Sequence, residues 1–195
     1  MERIDKERLI ELLKKESPYW PGDEVAERLF EAGRVITVEP WQPLIDWGEV
    51  KRDVYLLADG VIRKVDMNGS RERTMSFCMP GTIFSSKHGF CHNEPSTFRM
   101  EACCPCTVIA IPREKFWQLA DEVPKFALWM LHIEYEELYH HEFKNATFNS
   151  GNAKERFRAL LETRPEIFGR VPLKIIASYI GVTPEYLSRM RKLKK

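Results

Sequence analysis

Apolar positions in the first 33 residues recur with a helical period. Ile4, Leu9, Ile10, Leu12 and Leu13 form one stripe, and "SPYWPG" at 17–22 interrupts it. Asp23 is placed to cap a second helix that carries Val25, Leu29 and Phe30 and closes at Gly33. From Arg34 the texture changes. "RVITVEP", "DVYLLADGVIRKV", "ERTMSFC" and "CTVIAI" are short β-rich runs separated by Gly, Pro, Asn and Asp. "ADG" at 58–60 and "MNGS" at 67–70 signal hairpin turns, because Gly and Asn tolerate positive φ. Residues 34–111 therefore read as a compact antiparallel β unit, a roll or sandwich.

Helix returns at "PREKFWQLADEVP", and a longer helix is predicted from Pro124 to about Ala146. Phe126, Trp129, Met130, Ile133, Tyr135 and Leu138 give it a broad apolar face. A lone surface helix would not be so apolar, so it packs on the β unit, on a second copy of itself, or on both. "NSGN" at 149–152 reads as a hinge before a small all-helical unit. The expected fold class is α+β. Its parts are N-terminal helices with a β-roll over 1–123, a long dimerisation helix with its hinge over 124–150, and a helical unit over 151–195.

The end of that unit, "PLKIIASYIGVTPEYLSRMRK", has helix-turn-helix spacing. A first helix ends at Gly181, whose missing side chain permits the positive φ of a sharp turn. Thr183 can cap the second helix, Pro184 suits its first turn, and Glu185 favours its positive end. Ala177 is small where the helices must cross. Ile176, Ile180, Val182, Leu187 and Met190 fall at core positions. An ordinary αα-hairpin would leave Tyr186, Ser188, Arg189 and Lys192 on the outer face unexplained.

Charge strengthens the reading. The 195-residue chain has a formal net charge of +1, yet from Arg170 onward it carries seven cations and one anion. That end is +6, which leaves −5 for the rest. A mildly acidic body with a basic end suits a polyanionic partner. In the major groove, Glu185 could accept from a cytosine amino group and Arg189 could grip guanine, with Tyr186 beside them. Ser178, Ser188, Arg191, Lys192, Lys194 and Lys195 are the candidate phosphate contacts.

A β-roll, a long helix and a terminal helix-turn-helix together resemble the Crp/Fnr transcriptional regulators over most of residues 34–195. "DVYLLADGVIRKV", "FCMPGTIF", "EPSTFRMEACCPCTVIAIPREKFWQL" and "IASYIGVTPEYLSRMRK" carry the resemblance. It implies a homodimer joined along residues 124–146, operator readout through Glu185 and Arg189, double-stranded DNA as partner, and RNA polymerase as a second one. The resemblance also marks departures. The family's first readout Arg falls at Pro184. Its Gly-Glu ribose clamp reads Ser85-Ser86 here, and its Arg-Ser phosphate clamp reads Pro95-Ser96. Binding of cyclic AMP is therefore not expected. An effector pocket for another acid or phosphate would draw on Ser85, Ser86, Lys87, Ser96, Thr97 and Arg99. The family's C-terminal wing is not expected after Lys195, and the lysine-rich end would replace some of its phosphate contacts.

Five cysteines and no apolar leader point to a reducing cytoplasm, and no run is long and apolar enough to span a membrane. "CCPC" at 103–106 lacks a repeated metal-site spacing and would put Cys103 opposite Cys104 and Cys106 on a strand. "KHGFCHNEP" at 87–95 reads as a mobile polar loop, and His132, His140 and His141 as solvated or at a dimer edge. No metal, cofactor or enzymatic activity is expected. A cupin-like metalloenzyme would need a His/Glu triad that the strands lack. The remaining alternative is a small-molecule-binding signalling module whose terminal helices bind a protein.

Overall fold

The computed structural model describes residues 4–15 and 17–192. Two short helices come first, α1 (Lys6–Lys15) and α2 (Asp23–Ala32). Asp23 is the first residue of α2 and does not cap it. Its carboxylate instead accepts from Trp20 Nε1 at 2.9 Å and from Lys14 Nζ at 3.1 Å. These two partners hold the Asp23 carboxyl below the usual aspartate range, the tryptophan contributing most.

Eight strands follow: β1 (Arg34–Val38), β2 (Pro43–Ile45), β3 (Val54–Asp59), β4 (Ile62–Asn68), β5 (Arg71–Cys78), β6 (Ile83–Ser85), β7 (Arg99–Ala102) and β8 (Cys106–Ile111). They form two four-stranded antiparallel sheets, ordered β1-β8-β3-β6 and β2-β7-β4-β5. Alternation along β3 explains how one strand serves two cores. Tyr55 and Leu57 point between the sheets, while Val54 and Leu56 point to the opposite face. "CCPC" is not a regular strand. Cys103 and Cys104 lie in a bend, and only Cys106 enters β8.

The outer face of the first sheet is covered by helices. The helix α3 (Arg113–Glu122) and the 27-residue α4 (Pro124–Ser150) join α1 and α2 there. Leu9, Leu13, Leu29, Phe116, Phe126 and Trp129 bury against Val54, Leu56, Ile109 and Ile111. Each fully buried large apolar side chain contributes about 1.5–3 kcal/mol. At 1.5 Å per residue α4 is about 40 Å long. The expected break at 149–152 is narrower than the motif. The helix runs through Ser150, and Asn152 caps the next one with a reciprocal pair of hydrogen bonds to Glu155.

The remaining helices are α5 (Ala153–Thr163), α6 (Ile167–Arg170), α7 (Leu173–Ile180) and α8 (Pro184–Lys192). Their core does not stand apart from the roll. Phe157, Ile167, Ile176, Ala177, Ile180, Leu187 and Met190 share one cluster with Val61, Phe77 and Cys103 at the second sheet. The layers are thus α1–α4, first sheet, second sheet, α5–α8.

Candidate nucleic-acid interface

The turn between α7 and α8 forms for local reasons. Gly181 has φ 72° and ψ 41°, a left-handed conformation that a side chain disfavours. Its N–H donates to Ser178 O, and the Val182 N–H donates to Ala177 O at 3.0 Å. Thr183 Oγ1 then accepts from the Tyr186 N–H at 3.3 Å, capping α8. Leu187 and Met190 turn inward and are buried. The 3.6-residue period consequently leaves Glu185, Tyr186, Ser188 and Arg189 exposed on the opposite side.

Those four residues form a chemically mixed face. The Arg189 guanidinium lies 5.8 Å from the Tyr186 ring centroid. The Glu185 carboxyl is held below the usual glutamate range, first by its own backbone N–H, then by the Thr183 hydroxyl and Arg189. The face therefore presents a carboxylate and a guanidinium fork within about one helical turn. Pro184, Glu185, Ser188 and Arg189 lie together on one open stretch of surface. Arg191 is exposed next to them. Lys194, Lys195 and the Lys192 side chain lie outside the described residues.

Ser178 is placed differently from the sequence expectation. Its hydroxyl oxygen accepts the Thr74 N–H of β5 at 3.1 Å, so it faces the sheet. Sequence reasoning also singled out nothing in Arg156, which ties the hinge to the turn. Its Nη1 donates to Gly151 O at 2.7 Å and its Nε to Ile180 O at 2.8 Å.

The six residues expected around an effector pocket each have partners of their own. Ser85 lies on β6 opposite Val54. Ser86 is buried, and its hydroxyl accepts the Gly89 N–H. Lys87 reaches outward to Glu134 and Glu137 on α4. Ser96 is buried and donates to Phe98 O at 2.9 Å. Thr97 Oγ1 meets His88 Nε2 at 3.2 Å. Arg99 points away from the roll interior, because Met100 and Ala102 on the same strand point into it. Arg99 donates to Asp46 Oδ1 at 2.8 Å, approaches Glu72 and Glu101 at 3.6 Å, and stacks on Trp47.

Segment 87–95 is not a loose loop. His88–His92 form a π-helical turn, and a Cβ at Gly89 would fall 2.0 Å from Lys51 O. Arg52 Nε donates to Asn93 Oδ1 at 2.6 Å and fixes its end. Between the sheets, Tyr55 stacks on Phe84 with centroids 5.6 Å apart, beside buried Phe98 and Met100. Lys64 Nζ lies 4.1 Å from the Phe98 ring. The strand alternation could have flagged these aromatics, but not their mutual contact.

The cysteines and helix histidines have separate surroundings. Burial pushes the Cys78, Cys103 and Cys106 thiols up to about 12, while Cys91 is exposed. His132 is not simply solvated: its ring packs on Tyr19 with centroids 5.5 Å apart. No group of three or more potential metal ligands occurs among the described residues.

Comparison with known proteins places this geometry. Residues 35–123 match the family model of the cyclic nucleotide-binding domain. No curated protein sequence matches the chain. Among solved structures, FixK2 from Bradyrhizobium japonicum is similar with a TM-score of 0.71 and 21% identity, covering 83% of each chain. The c-di-GMP-responsive global regulator CLP of Xanthomonas campestris has a TM-score of 0.71 at 16% identity, covering 89% of this chain and 92% of its own. The Thermus thermophilus catabolite activator protein has a TM-score of 0.57 at 17% identity, covering 88% and 83%. Residues 35–123 are thus similar to the cyclic nucleotide-binding domain, and the chain shares the fold of these solved Crp/Fnr-type structures.

Proposed function

We propose that the chain is a homodimeric, sequence-specific DNA-binding transcription regulator whose β-roll does not take cyclic AMP. The observation that carries the proposal is the exposed face of α8, with Glu185, Tyr186, Ser188 and Arg189 presented opposite a buried Leu187 and Met190. Such a face suits base edges in the major groove. Two copies would meet along α4. Its Leu128, Leu131, Tyr135 and Leu138 are exposed at spacings of three, four and three, a coiled-coil seam, while Phe126 and Trp129 anchor the other side. The contacts between Tyr55, Phe84, Phe98 and Met100 favour a filled roll over a nucleotide site. RNA polymerase is the further partner of such a regulator, and the cytoplasm its place. No helix among the described residues is long and apolar enough to cross a membrane.

Selection from random duplex DNA by the purified chain, sequenced and repeated at two salt concentrations, tests this. The expected result is a palindrome with half-sites about 34–36 Å apart, bound more weakly at high salt. Recovery of unenriched sequence at both salts would overturn it. Cyclic AMP added to the same assay should leave affinity unchanged.

A further inference from the structure

The strand β5 lies at the edge of its sheet, paired to β4 alone. An edge strand offers free N–H and C=O groups to whatever packs beside it. Two of these are taken by side chains of the terminal helical unit. The Thr74 N–H donates to Ser178 Oγ at 3.1 Å, and Arg164 Nη1 donates to Phe77 O at 2.6 Å. In a regular antiparallel strand, residues three apart point their backbone groups to opposite edges. Here the register slips: Lys64 faces Ser76 while Val65 faces Thr74, which leaves Met75 as an extra residue. The bulge restores the parity, so Thr74 and Phe77 both address the free edge. It also puts both side chains on the outer face. Phe77 packs on Tyr179 with centroids 5.1 Å apart, and Thr74 Oγ1 accepts from Arg63. Arg170 adds an ion pair to Asp59 at 3.1 Å.

We propose that the β5 bulge is a docking device and that Arg164 and Ser178 are positioning residues, which fix the orientation of α8 by seating its unit on that edge. The inference rests on the DNA-binding reading above. Ser178 on this account holds a strand amide and contacts no phosphate. Neither residue touches DNA, so their loss acts on the geometry of two half-sites and leaves the chemistry of base contact alone.

The test compares the full chain with Arg164→Met, Ser178→Ala, the double variant and Arg164→Lys. Hydrogen exchange at the Thr74 amide reads the docking directly. It should quicken at least tenfold in the double variant, while the Val182 amide, internal to the helical unit, keeps its rate. Ser178→Ala covers the case in which Arg164→Met fails to fold. Operator duplexes whose half-site spacing differs by one base pair then read the positioning. The unaltered chain should prefer one spacing. The double variant should lose at least fivefold of that preference, and Arg164→Lys, which keeps a donor, should retain it. Unchanged exchange at Thr74, or faster exchange with spacing preference intact, would overturn the inference. If the unaltered chain binds no duplex at all, the DNA reading and the positioning role fall together, and Thr74 exchange alone then decides the docking.

Discussion

Arg63 and Glu101 face each other on neighbouring strands, both buried, with Arg63 Nε donating to Glu101 Oε1 at 2.7 Å. Arg63 also reaches Thr74 Oγ1 at 3.2 Å and Glu72 Oε2 at 3.1 Å. A buried charge with one partner removed is costly, about 3–5 kcal/mol. We expect Glu101→Ala to lower the stability of the roll by that order, read as a fall in the urea midpoint. A midpoint within error of the unaltered chain would show that the pair is dispensable.

Arg189→Ala should abolish discrimination between operator and random duplex while weak, salt-dependent binding persists. Arg189 is exposed at mid-α8, and a bidentate arginine–guanine pair is worth about 1–3 kcal/mol of discrimination. Competition binding measures this. Retained specificity would move the readout to other residues of the face.

Leu131→Glu with Leu138→Glu should turn a dimer into a monomer in sedimentation. Both side chains are exposed on α4, so the monomer fold should survive, with an unchanged circular dichroism spectrum. A persistent dimer would mean that the copies meet elsewhere.

Asp46 gives a dependence on pH. The hydrogen bond from Arg99 holds its carboxyl below the ordinary aspartate value of 3.8. A lowered carboxylate stabilises the fold fully above its unfolded value and loses that share as pH falls through its folded one. The difference in urea midpoint between the unaltered chain and Asp46→Asn should therefore be constant near neutrality and close below about pH 3.8. A difference that grows on acidification would contradict the assignment.

Thiol labelling should be selective. Cys91 is exposed on the π-helical turn, whereas Cys78, Cys103 and Cys106 are buried and stay protonated. One fast label, lost in Cys91→Ser, is expected of the folded chain, with Cys104 slower. Equal rates at the buried thiols would mean that the roll opens.

The long strands were legible because their periodicity is local. β1, β3, β4, β5 and β8 each run five residues or more, and turn residues bracket the hairpins. β2 and β6 have three residues and β7 four, too few for alternation to register. The α7–α8 unit was readable from Ala177, Gly181 and Thr183, since a tight turn constrains neighbours within a few positions. What escaped was tertiary. Thr74 and Ser178 are 104 residues apart, and a serine that holds a strand amide looks like one that could hold a phosphate. Asp23 opens α2 one residue past the cap position, and Trp20 and Lys14 take the carboxylate that could have capped it.

The stacking of four layers has a mechanical consequence. α4 leaves from the outer side of the first sheet, yet the helices that follow it rest on the far side of the second. The covalent path and the path through the two sheets therefore meet again at α5–α8, which makes a closed linkage rather than a hinge with a free end. Any torsion of α4 must be matched by slip along β5 or absorbed as shear between the sheets. In such a linkage the placement of α8 is tied to the edge strand β5 as well as to α4.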